Sequence, residues 1–540
     1  MRRIMVLAVV AGLVVSVAPV GHSQKQALQL VRVQVTSESQ ANDLMTNYDE
    51  THNHSSQTIE ILAWPGDIAR LEASGYRYQI VEDDVFARDQ ALFAQAPQIP
   101  VALPGPNRDN YRVLADYNAE MKKLAKKHPS LVRHFKAPYK TLEGREVFGI
   151  EIAAGVKSTD GRPTFYVDGV HHAREWPAGE YPMIFAHYLV EGFGKNKEIT
   201  KVLKNERIVI VPIVNPDGFD YSRSSPLAQQ PNVDAAHGVG CSAAGCEGYW
   251  RKNRRSFTGA TVPGVQKNPD AYGVDPNRNY SWLWGGPGAS PNETSQTHYG
   301  ELPFSEPESR NVQKIVLARN VTSIVSNHTY SRLVLRPWGD TFIPSPDAKY
   351  LTQLGAKMAK AMGGYQNIPG RQLYATTGTM SDWGYGTLHV PSYTFEHGRA
   401  FHPPYTGCEE DCVEKDWKGV MEAFMYGAKA GLDSDVHGVL KGDVVGAKGP
   451  AKLTIVQKKT TPLSPGNPTG KKSYTETFKT TMTTSKKGSF TWHLPPSTRP
   501  FLTKVKVEKY TLSISSKGGN KAMSFPLKPG QSLNLGKIKV

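Results

Sequence analysis

The chain has 540 residues, 39% hydrophobic and 21% charged, a globular composition with ample apolar material to bury. That length is too great for one ordinary core and predicts two to four domains. The net charge of +15 is not spread evenly: residues 433–540 hold 18 lysines and one arginine against five carboxylates, leaving residues 1–432 close to neutral.

The N-terminus, MRRIMVLAVVAGLVVSVAPVGHSQ, has a basic start at Arg2 and Arg3, an apolar run from Ile4 to Val20, then Gly21 and Ser23. This pattern predicts a secretory signal peptide over residues 1–23, cleaved near Ser23–Gln24, with an uncleaved anchor as the alternative. No other stretch approaches the ~20 apolar residues of a spanning helix. The expected product is therefore secreted, extracellular or periplasmic, with no membrane span after signal removal. Four cysteines form two close pairs, Cys241 with Cys246 and Cys408 with Cys412. In an exported chain these predict two local disulfides, the rival being a single four-cysteine zinc site.

Next comes a small unit in which LQLVRVQV, TIEILAWP and YRYQIVEDD read as strands, while SQANDLMTNYDE and PGDIARLEASG read as helices. The proline-rich AQAPQIPVALPGPN then reads as an extended linker. A small α+β module and linker over 24–109, placed before a larger domain, predict a propeptide, which implies an activating protease as a partner. A permanent accessory domain is the alternative. From 110 to 432, strands such as TFYVDGV, RIVIVPIVN and SIVSNHTY alternate with amphipathic stretches such as YNAEMKKLAKKH. That alternation predicts an α/β domain with a mixed, largely parallel twisted sheet flanked by helices. Residues 433–540 turn Thr-, Lys-, Ser- and Gly-rich, with short strand-like runs, and predict a basic β-sandwich. Its charge predicts association with a polyanionic surface that weakens with salt, a solvated lysine-rich face being the alternative. Its few aromatics do not favour base stacking, and no specific nucleic acid is expected.

Chemistry gathers where strands end. GVHHAREW places two histidines, an arginine and a glutamate after the apolar run TFYVDGV, and Pro177 suits the first turn of the helix that follows. Ligands bind at such strand-to-helix junctions in open α/β sheets. His172 with Glu175, or His171 with Glu175, can aim at one ion, and spacing alone leaves both open. In SIVSNHTY an apolar strand ends with His328, and VPSYTFEHG brings Glu396 to the end of another strand. A catalytic zinc takes about three protein ligands and a water, and a nearby carboxylate serves as general base.

In order, GVHHAREW, IVPIVNPDGFDYS, YWRKNRR, GVDPNRNY, SNHTY, LYATTGTMSDW and YTFEHG resemble the zinc carboxypeptidases of the pancreatic carboxypeptidase A type. The resemblance spans 169–398 by motif and about 110–432 by order and spacing. It implies one Zn²⁺ held by His172, Glu175 and His328, leaving His171 a neighbour, with Glu396 as general base and proton shuttle. It further implies that Arg251 steadies the carbonyl oxygen, and that Asn277, Arg278 and Tyr374 hold the substrate's terminal carboxylate. Arg174 matches a further substrate-binding arginine and Tyr330 a subsite tyrosine. The pocket floor falls on Ser381. A small neutral floor implies broad specificity leaning to hydrophobic C-terminal residues. The expected activity is hydrolysis of the C-terminal peptide bond of peptides and proteins. A peptidase trimming peptidoglycan peptides with the same chemistry is the alternative enzyme reading, and a binding module on an inactive scaffold the non-enzymatic one.

Overall fold

The computed structural model of the chain describes residues 27–540 except 56, 65, 97–99, 224–245, 257–272, 495–507 and 529. The expected signal peptide lies outside the described residues, as does Cys241 and with it the expected Cys241–Cys246 bond. Cys408 and Cys412 are joined, as their spacing predicts. Among the described residues no helix is long and apolar enough to cross a membrane.

The N-terminal unit runs β1 (Gln29–Gln34), α1 (Glu38–Asn47), β2 (Asp49–His54), β3 (Thr58–Ala63), α2 (Asp67–Ala73), β4 (Tyr78–Glu82) and α3 (Val85–Gln95). Its sheet has the order β2-β3-β1-β4. In β1, Val31 and Val33 face inward while Arg32 and Gln34 face out, the alternation of a half-buried strand. Two elements depart from the sequence expectation. SQANDLMTNYDE does not stay helical to its end: the helix closes at Asn47, and Asp49 and Glu50 pair with Leu62 and Ile61 of β3. A further helix, α3, follows β4, started by Asp84, whose carboxylate accepts from the Phe86 and Ala87 amides.

The central unit carries eight strands: β5 (Val132–Lys140), β6 (Glu146–Ile152), β7 (Thr164–Gly169), β8 (Arg207–Val211), β9 (Val321–Thr329), β10 (Leu333–Arg336), β11 (Gln366–Pro369) and β12 (Ser392–His397). They lie in the order β11-β10-β12-β9-β7-β8-β6-β5. The neighbours β7/β8, β7/β9, β9/β12 and β10/β11 are parallel, while β5/β6, β6/β8 and β10/β12 are antiparallel, so the sheet is mixed with a parallel centre. Every residue of β7, β9 and β12 is buried, as central strands covered on both faces require. The helices are α4 (Leu114–Lys127), α5 (Trp176–Gly192), α6 (Lys197–Asn205), α7 (Pro216–Arg223), α8 (Pro307–Leu317), α9 (Ala348–Ala361), α10 (Gly370–Leu373), α11 (Met380–Gly386) and α12 (Val413–Leu432). Helices α5 and α12 pack on β7 and β9, α9 on β10, and α4 and α8 on β5.

The C-terminal unit has β13 (Gly438–Val445), β14 (Lys452–Pro462), β15 (Ser473–Thr483), β16 (Ser489–Leu494), β17 (Glu508–Ser516), β18 (Gly519–Leu527) and β19 (Ser532–Lys539). A three-stranded sheet, β16-β13-β19, and a four-stranded one, β15-β14-β17-β18, enclose a core of Leu440, Leu453, Trp492, Leu512, Phe525 and Leu527. This sandwich is bound closely to the central unit. The Trp492 indole donates to Asn320, the Thr483 amide to the Thr159 carbonyl and the His493 amide to the Gly161 carbonyl.

Candidate active site

Three strand ends build the site. β7 stops at Gly169, where a Cβ would lie 2.1 Å from the Ala178 carbonyl oxygen, so only glycine lets the start of α5 pack so close. Val170 then adopts φ 55°, a left-handed turn that few β-branched residues take, and His172 and Glu175 follow on the sharp bend into α5. His328 leaves β9 and Glu396 leaves β12 at positions paired in the parallel ladder.

His172 Nδ1 lies 2.6 Å from Glu175 Oε1, His328 Nδ1 lies 2.9 Å from Glu175 Oε2, and the two Nδ1 atoms are 3.2 Å apart. All three side chains are buried. The far nitrogen of His172, Nε2, faces Asp275 Oδ1 at 3.1 Å, an arrangement that leaves Nδ1 as a bare acceptor turned toward the other two. Two imidazole lone pairs and a buried carboxylate meeting at one point repel each other unless a cation sits among them. The donor set thus fits zinc, which takes N and O ligands of this kind. His171 stands apart from this point: its Nε2 is 2.7 Å from the Tyr280 hydroxyl and its Nδ1 3.3 Å from Ser326 Oγ.

Asp275 is the site residue that sequence reasoning missed. Its second carboxylate oxygen accepts from Arg251 Nη2 at 2.8 Å, so one side chain braces both His172 and Arg251. Burial opposes its charge, but Arg251, His172 and Arg278 outweigh burial and hold its carboxyl well below the usual range. The available signal was its place at the head of the same DPNRNY stretch that carries Asn277 and Arg278.

Asn277, Arg278, Tyr374, Ser381 and Glu396 line one small cavity together with His172. Arg278 is held by Nε donating to the Gly288 carbonyl at 2.8 Å, while its Nη2 is buried without a hydrogen-bond partner. Glu396 Oε2 is likewise buried. Asp382, next to Ser381, accepts from the Gly339 amide at 3.1 Å, and burial raises its carboxyl to about 7. Arg174 and Tyr330 stand outside this cavity. Arg174 lies over the Phe401 ring, and Tyr330 meets the same ring edge-on, packed against the cluster that holds Leu62 and Val85 of the N-terminal unit.

The N-terminal unit closes the cleft. Asp49 grips Arg174 with both oxygens, at 2.6 and 2.8 Å, with both side chains buried. His52 enters the cavity, its Nε2 2.9 Å from the Tyr374 hydroxyl and its Nδ1 3.5 Å from Glu396 Oε2. Burial pulls the His52 imidazole toward neutrality, yet Glu50 and Glu396 outweigh it and lift its pKa to about 9. With this unit in place the cavity is about 40 Å³, room for about one water.

Residues 117–418 match the zinc carboxypeptidase family, and the chain belongs to it. It is a zinc metallocarboxypeptidase, similar to carboxypeptidase A1 of mouse, 28% identical over 342 residues that cover 61% of this chain and 73% of that protein. Human carboxypeptidase A1 is 26% identical over 425 residues, covering 73% of this chain and 91% of its own length. In fold, the chain resembles the crystal structure of carboxypeptidase A from Helicoverpa armigera, with a TM-score of 0.58 at 24% identity over 76% of this chain and 98% of that one. The crystal structure of thrombin-activatable fibrinolysis inhibitor gives 0.55 at 21% identity, over 76% of this chain and 99% of that one.

Proposed function

We propose that the chain is an exported carboxypeptidase, made with a latent N-terminal module, that releases single C-terminal residues with broad specificity leaning to hydrophobic ones. One observation carries this reading: Arg278 Nη2, buried without a hydrogen-bond partner, and Glu396 Oε2, buried beside His52 Nδ1 of the N-terminal unit, line the same cavity as the metal-ligand set. An exopeptidase must tell a chain end from internal bonds, and the distinguishing group is a free carboxylate. Arg278 supplies a charged donor for it, with Asn277 and Tyr374 beside it. Zinc held by His172, Glu175 and His328 supplies, when bound, the Lewis acidity that makes water nucleophilic near neutral pH. Glu396 takes the proton of the attacking water and passes it to the departing amine. Arg251, braced by Asp275, donates to the oxygen that gains charge as the carbonyl is attacked. Ser381 forms the floor of the side-chain pocket, with Leu335 and Thr394 on its walls.

Residues 24–109 act in this reading as propeptide and linker, and 110–432 as the catalytic domain. Asp49 and His52 occupy the groups that substrate would use, which supports latency. Removal needs an activating protease. Arg88 lies within α3, whereas Arg108 lies outside any helix, so Arg108, although paired with Asp116 and Glu120, is the better cut. The basic 433–540 module associates with polyanionic surfaces: Lys452, Lys458 and Lys479 project to solvent from the four-stranded sheet. Retention on an anionic matrix that added salt does not weaken would remove that role. The experiment for the main reading is a peptide panel given to the processed protein. Single free amino acids should leave from C-termini, and C-terminal amides should be spared. Internal cleavage, or equal attack on amides, would overturn it.

A further inference from the structure

The inner face of β15 carries a charge where a sandwich core calls for an apolar side chain. Glu476 sits in line with Phe478, Thr480 and Met482 and is 3% exposed. It does not point into its own module's core. Its Oε1 accepts from Gln313 Nε2 at 2.8 Å and its Oε2 from Ser281 Oγ at 2.8 Å. The Trp383 indole N–H reaches both oxygens, at 3.0 and 3.2 Å, and Thr461 of β14 approaches Oε2 at 3.4 Å. Three of these four donors belong to the catalytic unit, on α8, on α11 and on the segment after Arg278.

Their placement matters. Ser281 is three residues beyond Arg278, and Trp383 is two beyond Ser381. The two segments also touch directly, since Asn277 Oδ1 accepts from the Met380 amide at 2.9 Å, and Tyr280 and Trp282 exchange backbone bonds with Gly378. A buried carboxylate left without donors is costly, so the packing that satisfies Glu476 fixes where its donors stand. The carboxylate therefore holds the carboxylate-binding segment and the pocket-floor helix in one relative position, from a module outside the catalytic sequence match, which ends at 418.

We propose that Glu476 is a positioning residue for substrate binding, through which the C-terminal module completes the specificity pocket. This rests on the reading of Arg278 and Ser381 as substrate-binding groups. It also makes the basic module part of the working enzyme, so that residues 110–432 alone would bind substrate poorly.

The test uses the full chain, processed after folding, in Glu476→Gln and Arg278→Ala forms, with kcat and KM measured on an N-acyl dipeptide and zinc content measured alongside. Glu476→Gln turns an acceptor into a donor facing donors. It should raise KM roughly tenfold, the scale of one hydrogen bond to a charged group, with kcat and zinc content little changed. A purely structural role would lower the active fraction and leave KM where it was. Should Glu476→Gln not fold, Gln313→Leu removes one donor from α8, outside the pocket, and should raise KM by a smaller factor. If Arg278→Ala raises KM while neither Glu476→Gln nor Gln313→Leu does, the positioning role is overturned and the site reading stands. If Arg278→Ala also leaves KM unmoved, the site reading itself falls.

Discussion

Asp49 is the residue on which latency should turn. In the full chain its carboxylate is bidentate to Arg174 and also accepts from the Trp64 indole at 2.8 Å, and the ion pair is almost fully buried at 0% and 1% exposure. Asp49→Asn keeps the shape and the indole contact but leaves the Arg174 charge uncompensated inside the closed form. Breaking one side of a buried pair costs ~3–5 kcal/mol. The open form, where Arg174 meets water, does not bear that cost. The closed-to-open ratio should therefore fall by roughly 100- to 4000-fold, and the intrinsic peptidase activity of the uncut chain should rise by the same order until the open form dominates. The assay is turnover of a small acyl dipeptide by purified full-length protein, with intact mass confirming that no cut has occurred. The control is Glu38→Gln, which breaks the ion pair to Arg371; Glu38 is 73% exposed, so an effect of only a few-fold is expected. If uncut Asp49→Asn is as inactive as the parent, or no more active than Glu38→Gln, the Asp49–Arg174 lock is not what holds the cleft shut.

Ser381→Asp should move the preference of the processed enzyme toward C-terminal Lys and Arg by at least about tenfold relative to Phe in kcat/KM; an unchanged ranking would show that Ser381 is not the pocket floor. Glu206 is fully buried, its oxygens lack hydrogen-bond partners, and burial raises its carboxyl well above the usual glutamate range. The folded chain therefore keeps this proton to a higher pH than the unfolded one, and stability is lost as pH rises from the ordinary glutamate value toward the raised one. Glu206→Gln should raise Tm at pH 8 and match the parent near pH 4, and an equal difference at both pH values would refute that linkage.

The catalytic sheet was legible because TFYVDG, VTSIVSNHT and SYTFEH are apolar runs that stop abruptly at charged or metal-binding residues, and buried parallel strands leave that imprint. What was not legible depends on distant partners. DETHNH reads as polar surface, yet Asp49 to His52 are buried because the cleft, more than a hundred residues away in sequence, supplies Arg174, Tyr374 and Glu396. No periodicity within 24–95 encodes that face. Glu476 hides the same way, as one acidic residue in a Thr-rich strand whose donors lie in the catalytic unit save Thr461 of β14. Asp275 was within reach, since a carboxylate two residues before Asn277 and three before Arg278 has a ready partner in His172. The sandwich was foreseen as a separate module. Phe478 instead joins the apolar core of the catalytic unit, because the inner face of β15 is shared between the two.

The most direct test compares Glu396→Gln with His328→Ala in the processed protein, measuring bound zinc and turnover on one sample of each. Glu396→Gln should retain zinc like the parent and lose roughly 100- to 10,000-fold in kcat, the contribution of a positioned general base. His328→Ala should lose the metal itself. A Glu396→Gln protein that holds zinc and turns over at near the parent rate would contradict the assignment of the base, and with it the mechanism.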